Sequence, residues 1–322
     1  MLAAYCASQS ATDPLSGLVV GERPEPEPRP GWSLVDLRAA TLNHHDLWSL
    51  QGVGLPADRL PMTLGCDGAG VTQDGREVIV HAVIASPGWS GDETLDPRRS
   101  LFSEVHQGTF SERVLVPDAN LVPKPESMSW EVAAALPTAW LTAYRMLFTN
   151  AKVTPGCLVL VQGAGGGVAT ACIQLGVAAG LRVWVTSRSE EKRAQALALG
   201  AEAAFESGAR LPEKVDAVME TVGAATWSHS VNVLRPGGVI VISGATSGDA
   251  PPKAELTKVF FRQLSVVGST MGNRHELERL ARLVVAHDLQ LTVDQSMPLS
   301  EARRGFERLA SGEAFGKIVF TV

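Results

Sequence analysis

The stretch LVLVQGAGGGVATACIQLG, Leu158 to Gly176, constrains the fold of this chain more than any other. An apolar run leads into a cluster of glycine and alanine, and an uncharged, helix-compatible segment follows. Bare backbone at the end of a buried strand serves three purposes. The chain turns sharply there, a phosphate group can approach the main chain, and the helix packs closely on the sheet. Two registers of the dinucleotide-binding fingerprint fit. Gly163-x-Gly165-x-x-Val168 is imperfect, whereas Ala164-x-Gly166-x-x-Ala169 has small residues at all three positions and is preferred. The helix that follows would present unpaired N–H groups and the positive end of its dipole to a pyrophosphate, which makes Ala164, Gly166, Gly167 and Val168 candidate cofactor contacts.

The surroundings of this turn support a ligand rather than a bare turn. Strand CLVLVQ precedes helix VATACIQLGVAAG, strand RVWVTS precedes helix SEEKRAQALALG, and VDAVMETVG, GGVIVISG and LSVVGST supply further apolar strands. Such alternation predicts an α/β fold with a doubly wound parallel sheet covered on both faces by helices. With 322 residues the chain is long enough for two domains. Its first third has short β-like runs and the proline-rich connection ERPEPEPRPGW, and SWEVAAALPTAWLTAYRML reads as a helix broken near Pro137. The expected division is a mainly-β domain over 1–122, the dinucleotide-binding domain over 123–272, and a segment over 273–322 that returns to the first domain. No apolar run reaches the roughly 18 residues of a membrane span. No basic-then-apolar leader opens the chain, and the net charge of −6 gives no footprint for nucleic acid. The expectation is a cytoplasmic protein without nucleic-acid or membrane partners. Four scattered cysteines, none in a CxxC pair, support neither a disulfide framework nor a structural zinc.

The end of the second strand bears on cofactor choice. An acidic residue about 20 positions after the fingerprint hydrogen-bonds the ribose of NAD and repels the extra phosphate of NADP. Here the sequence is TSRSEEK: Ser187 and Arg188 stand where the acid belongs, with Lys192 one helical turn on. A hydroxyl, a guanidinium and an ammonium suit a 2′-phosphate, so NADPH is the expected cofactor.

Over nearly its whole length the chain resembles the medium-chain dehydrogenase/reductase superfamily, in its quinone oxidoreductase branch. The resemblance rests on LNHHDLW, LGCDGAGV, GTFSERVLVPDANLVPKP, AAALPTAWLTAYRML, GAGGGVATACIQLG, METVG, LRPGGVIVISG and GKIVFTV. It implies a GroES-like N-terminal domain completed by the C-terminal segment, an active site in the cleft between the two domains, and a homodimer joined through a sheet edge. Zinc alcohol dehydrogenases hold a catalytic metal with two cysteines and a histidine. By their surroundings those positions are Asn43, Cys66 and Thr138 here, and the cysteine-rich structural-zinc loop is replaced by a cysteine-free segment. A catalytic zinc wants three protein ligands of the Cys, His or carboxylate type, so a zinc-free enzyme with no metal ligands is expected. His44, His45, Asp46 and Cys66 fall in the same loops, but adjacent histidines in an extended segment point apart and Asp46 reads as a capping residue.

Without a Lewis acid, the chemistry suits an acceptor that is already polarised: a quinone or an α,β-unsaturated carbonyl. The resemblance places Asn43 beside the substrate carbonyl and His45 at a proton-relay position as the candidate donor. Thr142 resembles a cofactor-contacting threonine. Gly223, Gly244, Ala245, Ser269, Thr270 and Met271 end successive strands, where open sheets bind ligands. Gly316 and Lys317 of the closing motif are expected to reach the nicotinamide. A tyrosine that flanks the adenosine phosphate in the family becomes Phe205. Trp48, Leu50 and Trp140 suggest a small apolar electrophile as the partner, while His81 and His106 read as solvent-facing or structural. Two other activities stay open: a zinc-type alcohol or aldehyde dehydrogenase, and a weakly catalytic NADPH-binding sensor or structural protein.

Overall fold

The alternating strands and helices that begin at Leu158 build a six-stranded, all-parallel sheet in this computed structural model, which describes residues 1–322. Across the sheet the strands run Ala203–Phe205, Arg182–Thr186, Leu158–Gln162, Val215–Glu220, Leu234–Ile242 and Ser265–Gly268. In chain order that is 3-2-1-4-5-6, the doubly wound arrangement, whose order reverses between Leu158–Gln162 and Val215–Glu220. Leu158–Gln162 is buried along its length because it is flanked by strands on both sides and covered by helices such as Gly167–Ala178. Leu160, Trp184, Val218 and Ile240 form part of its core. Phe205 lies edge-on to Trp184 at 5.2 Å, which gives it a packing role where the family tyrosine was expected.

This sheet belongs to a compact unit, Thr142–Met271, and the other unit comprises Met1–Leu141 with Gly272–Val322. The boundary falls after Leu141 rather than after residue 122. The helix Trp130–Ala135 packs on the strands Trp32–Thr41 and Asp67–Thr72 of the first unit, so its apolar residues are buried there. Pro137 does not break the chain's helical path; it sits in a π turn, Leu136–Trp140, whose wider ring tolerates the missing N–H.

The first unit is organised around Trp32–Thr41, which pairs antiparallel with Asp67–Thr72, Arg113–Pro117 and the closing strand Lys317–Thr321. The C-terminal segment thus pairs within the first unit. Phe110 meets Phe306 and Phe320 edge-to-face at 6.1 and 5.0 Å in the centre of its core. The helix Arg274–Ala286 buries Leu277, Leu280, Ala281 and Val284, an i, i+3, i+4, i+7 stripe. Its N-terminus is closed by a reciprocal Asn273–Glu276 box. Leu50 and Trp140 are core residues, not pocket lining. The cysteine-free loop after Ile84 is held by carboxylates instead: Asp96 accepts from the Ser86 and Arg98 amides, and Glu93 lies 2.8 Å from the buried His81 ring. No helix is long and apolar enough to cross a membrane.

Candidate functional site

In the nucleotide-type unit, the carboxyl ends of the parallel strands lie along one edge of the sheet. Gly163 leaves the first strand with φ +79°, in the left-handed region that favours glycine, and no side chain caps the helix that starts after Gly166. Its first-turn amides are thus open to an anion. Ala164 is buried beneath the turn and Gly167 and Val168 begin the helix. Lys192 folds back over the same turn: a Cβ on Gly165 would lie 2.7 Å from its Cδ and 3.1 Å from its Nζ. Arg188 is exposed beside the buried Ser187, whose carbonyl accepts from Arg193 at 2.7 Å. The strand Arg182–Thr186 has no acid at its end.

Gly223, with φ +93°, packs against the backbone of Ala245 and Gly248 so closely that a Cβ would lie 2.5 Å from the Gly248 carbonyl oxygen. Gly244 is less tightly held: a Cβ there would lie 3.1 Å from the Thr221 carbonyl oxygen. The buried hydroxyl of Ser269 has no protein partner, Met271 has φ +46°, and Thr270 is exposed between them. Thr142 is buried in this unit. These strand ends, an open helix N-terminus and the basic groups above it fit a phosphorylated dinucleotide.

Two residues that sequence reasoning missed hold this edge together. The Glu220 carboxylate, almost wholly buried, accepts from the amides of Val222 and Gly223 at 2.8 and 3.0 Å and from the hydroxyls of Thr226 and Ser230 at 2.9 and 2.6 Å. Gln162 accepts from Thr186 and donates to Ser230, which links three strand ends. A charged residue and an amide closing otherwise apolar strands were the available signal.

The first unit gathers a second polar cluster. Asn43 precedes the helix His44–Leu50, and Asp46, three residues on, accepts from the Asn43 amide at 2.9 Å and from Gly65 N at 3.0 Å. Asp46 therefore caps the helix as expected. Burial pushes its pKa up to about 6 against the pull of His45 and these amides. The Asn43 side chain is fully committed: Nδ2 donates to Asp67 Oδ2 at 2.8 Å and to Thr41 O at 3.3 Å, and Oδ1 accepts from Lys317. Lys317 is 2% exposed, and its ammonium donates to Asn43 Oδ1, Leu42 O and Asp67 Oδ2 at 2.7, 2.9 and 3.2 Å. With three N–H groups and three acceptors, this ammonium braces Asn43 and keeps none for a nicotinamide. Nor does the Asn43 amide keep a hydrogen for a substrate carbonyl. Gly316, with φ +95°, lies against Thr292, where a Cβ would come within 2.2 Å of the carbonyl oxygen.

His44 and His45 lie in the first turn of the helix His44–Leu50 rather than in an extended segment, and their side chains part because successive helical residues are about 100° apart around the axis. His44 is exposed near Trp48, whereas His45 turns toward Cys66 and Glu104. Its Nε2 is 2.7 Å from Glu104 Oε1 and its Nδ1 is 3.4 Å from Cys66 Sγ. Burial works against a charge on the ring, but Cys66, Glu104 and Asp46 outweigh it and hold the imidazole pKa well above its ordinary value.

These donors do not make a conventional zinc site. Asn43 and Thr138 provide an occupied amide and a hydroxyl where thiolates are required. His45, Asp46 and Cys66 do bring three donor atoms within 4.8 Å of one another. Both oxygens of Asp46, however, are already bound to main-chain amides, and a cation there would compete with the helix cap. The two-cysteine, one-histidine set of the zinc alcohol dehydrogenases is absent from these positions.

The chain matches two family profiles: "Alcohol dehydrogenase GroES-like domain" over residues 29–126 and "Zinc-binding dehydrogenase" over 167–286. It is 31% identical to the zinc-type alcohol dehydrogenase-like protein YogA of Leptosphaeria maculans, covering 92% of each chain. It is 29% identical to acryloyl-coenzyme A reductase of Metallosphaera sedula, covering 95% of this chain and 96% of that protein. Among solved structures, one described as an NAD-dependent alcohol dehydrogenase superposes over all of both chains with a TM-score of 0.92 and 35% identity.

Proposed function

The chain belongs to the medium-chain dehydrogenase/reductase superfamily, and we propose that within it the protein is an NADPH-dependent, zinc-independent reductase of α,β-unsaturated carbonyl compounds or quinones. The observation that carries this reading is the pairing of an acid-free strand end, Ser187-Arg188, with Lys192 folded over the glycine turn. Those groups match a 2′-phosphate in charge and donor type. Likeness to acryloyl-coenzyme A reductase favours the enone over the quinone.

Bound NADPH supplies a hydride. The protein's own part is to bind, orient and manage a proton. Open amides after Gly166 and the cations Arg188 and Lys192 take the phosphates, with Glu220 fixing the Val222–Gly223 turn from below. Hydride addition to the β-carbon leaves an enolate, which needs a proton but no metal. His45 is the acid available: Glu104 and Cys66 favour its protonated form at neutral pH. Asn43, braced by Lys317, acts in this scheme by fixing the loop that carries His45. The substrate in this scheme is an electrophile, as the likeness to acryloyl-coenzyme A reductase suggests.

We further propose a homodimer joined through the outer edge of Ser265–Gly268. That strand ends the sheet with Val266 44% exposed, and the helix that precedes it in the chain, Leu256–Phe261, exposes Phe260 and Phe261. An unpaired edge next to exposed aromatic surface is a template for a second copy.

The test is metal-analysed protein assayed for NADPH oxidation with enones, enoyl thioesters and quinones, with sedimentation on the same sample. Turnover of an enone without stoichiometric zinc, by a dimer, is expected. A second reading, alcohol dehydrogenase, is favoured by the likeness to the NAD-dependent enzyme. Alcohol oxidation with NAD that requires added zinc would establish it and remove the first.

A further inference from the structure

Cys66, His45 and Glu104 lie in line, although they come from three separate parts of the first unit. Cys66 Sγ is 3.4 Å from His45 Nδ1, and His45 Nε2 is 2.7 Å from Glu104 Oε1. Both ring nitrogens are thereby engaged, one by a thiol and one by a carboxylate, which is the geometry of a nucleophile, its base and the group that orients the base. The surrounding backbone is built to hold it. Ser103, fully buried, takes φ +63°, unusual for a residue with a side chain, and brings Oγ to 3.4 Å from Cys66 Sγ. Gly54, with φ +82°, closes over the far end; a Cβ there would lie 2.8 Å from Glu104 Oε1. Asp46 is the remaining charged group facing the ring.

The other cysteines provide a comparison within the same chain. Burial pushes the Cys6 thiol up to about 11 and the Cys172 thiol higher still, and no charged group opposes it. Burial raises Cys66 as well, but the charge of His45 and hydrogen bonds from His45 and Ser103 pull against it. Cys157 is half-buried, with only Thr154 Oγ1 nearby at 3.7 Å.

We propose that Cys66, His45 and Glu104 form a thiol–imidazole–carboxylate relay that is modified covalently by small α,β-unsaturated carbonyl compounds. In molecules whose imidazole is neutral, with its hydrogen on Nε2, His45 Nδ1 takes the thiol proton and the sulfur electron pair forms an S–C bond at the β-carbon. The π pair of the alkene moves through the α-carbon onto the carbonyl oxygen. The resulting enolate then recovers the proton from the imidazolium at the α-carbon. Nothing leaves, and no oxidant or reductant is consumed. Glu104 accepts from Nε2–H throughout and stabilises the imidazolium. Cys66 is 2% exposed while the His45 and Glu104 side chains are 20% and 22% exposed, so the relay opens at its histidine end and admits only small acceptors. This addition needs no cofactor and is separate from the hydride transfer proposed above.

The test is peptide mass spectrometry of native, cofactor-free protein during reaction with methyl vinyl ketone. The Cys66 adduct should form roughly tenfold or more faster than those of the comparably buried Cys6 and Cys172. Glu104→Gln and His45→Asn should each slow it by a similar factor while Cys157 labelling is unchanged. A Cys66 rate no greater than that of Cys172 in the wild-type protein overturns the proposal without any variant having to fold. So does a Cys66 rate indifferent to both substitutions.

Discussion

Replacing Lys317 by methionine isolates the buried charge cluster of the first unit. Methionine has nearly the shape of the lysine stem, so the change removes a charge and three hydrogen bonds with little loss of packing. Asp67, fully buried, then has no cation within reach, and Leu42 O and Asn43 Oδ1 lose their donor. Breaking a buried ion pair from one side costs about 3–5 kcal/mol, because the remaining carboxylate is left uncompensated. For a unit of about 150–250 residues, each kcal/mol lowers the melting temperature by about 2–4 °C. The expected fall is therefore about 6–20 °C by calorimetry. Adding Asp67→Asn removes the stranded charge, so the double variant should recover part of that loss, and the cycle of four proteins gives the coupling directly. A Lys317→Met protein within about 1 kcal/mol of wild type, or a double variant less stable than the single, would refute the assignment of Lys317 as a brace. Its ammonium would then be free to serve a ligand.

Two other outcomes are expected. Ser187→Asp places a carboxylate at the strand end where NAD-binding relatives of the fold carry one. NADPH should bind at least about tenfold more weakly and NADH more tightly, as read by calorimetric titration; unchanged preference would remove the 2′-phosphate reading. Glu104→Gln removes the partner that helps raise the His45 pKa. A group whose folded pKa is raised stabilises fully below its unfolded value, near 6.5 for histidine, and that contribution fades as pH rises through the folded value. Denaturant unfolding should show wild type more stable than the variant by about 1–2 kcal/mol at pH 6, with the gap narrowing above neutral pH, whereas a constant gap to pH 9 would count against the ion pair.

What was legible in the sequence is what local chemistry decides. The apolar run into GAGGGVA, the repeated strand–helix texture and the acid-free TSRSEEK each depend on residues within about 20 positions of one another, and the sheet order and the Lys192–Gly165 contact follow them. The partners of the other polar groups were hidden because they are distant in the chain. Lys317 meets Asn43 and Asp67 across more than 200 residues, and only the antiparallel pairing of the last strand with Trp32–Thr41 brings them together. The unit boundary after Leu141 is hidden for a related reason: Trp130–Ala135 looks like the first helix of the next unit until its buried face is seen against Trp32–Thr41.

His45 shows the same limit most clearly. As a residue in LNHHDLW it reads as a solitary proton donor. Glu104, 59 positions away, turns it into the middle member of a row of three, and a histidine in that place has different chemistry from one facing solvent. Its acidity is set by a carboxylate behind it, and its proton is shared with a sulfur in front. A reduction that draws its proton from His45 and an addition that begins at Cys66 would thus depend on the same imidazole. Glu104→Gln should slow both, whereas Ser187→Asp should affect only the reduction.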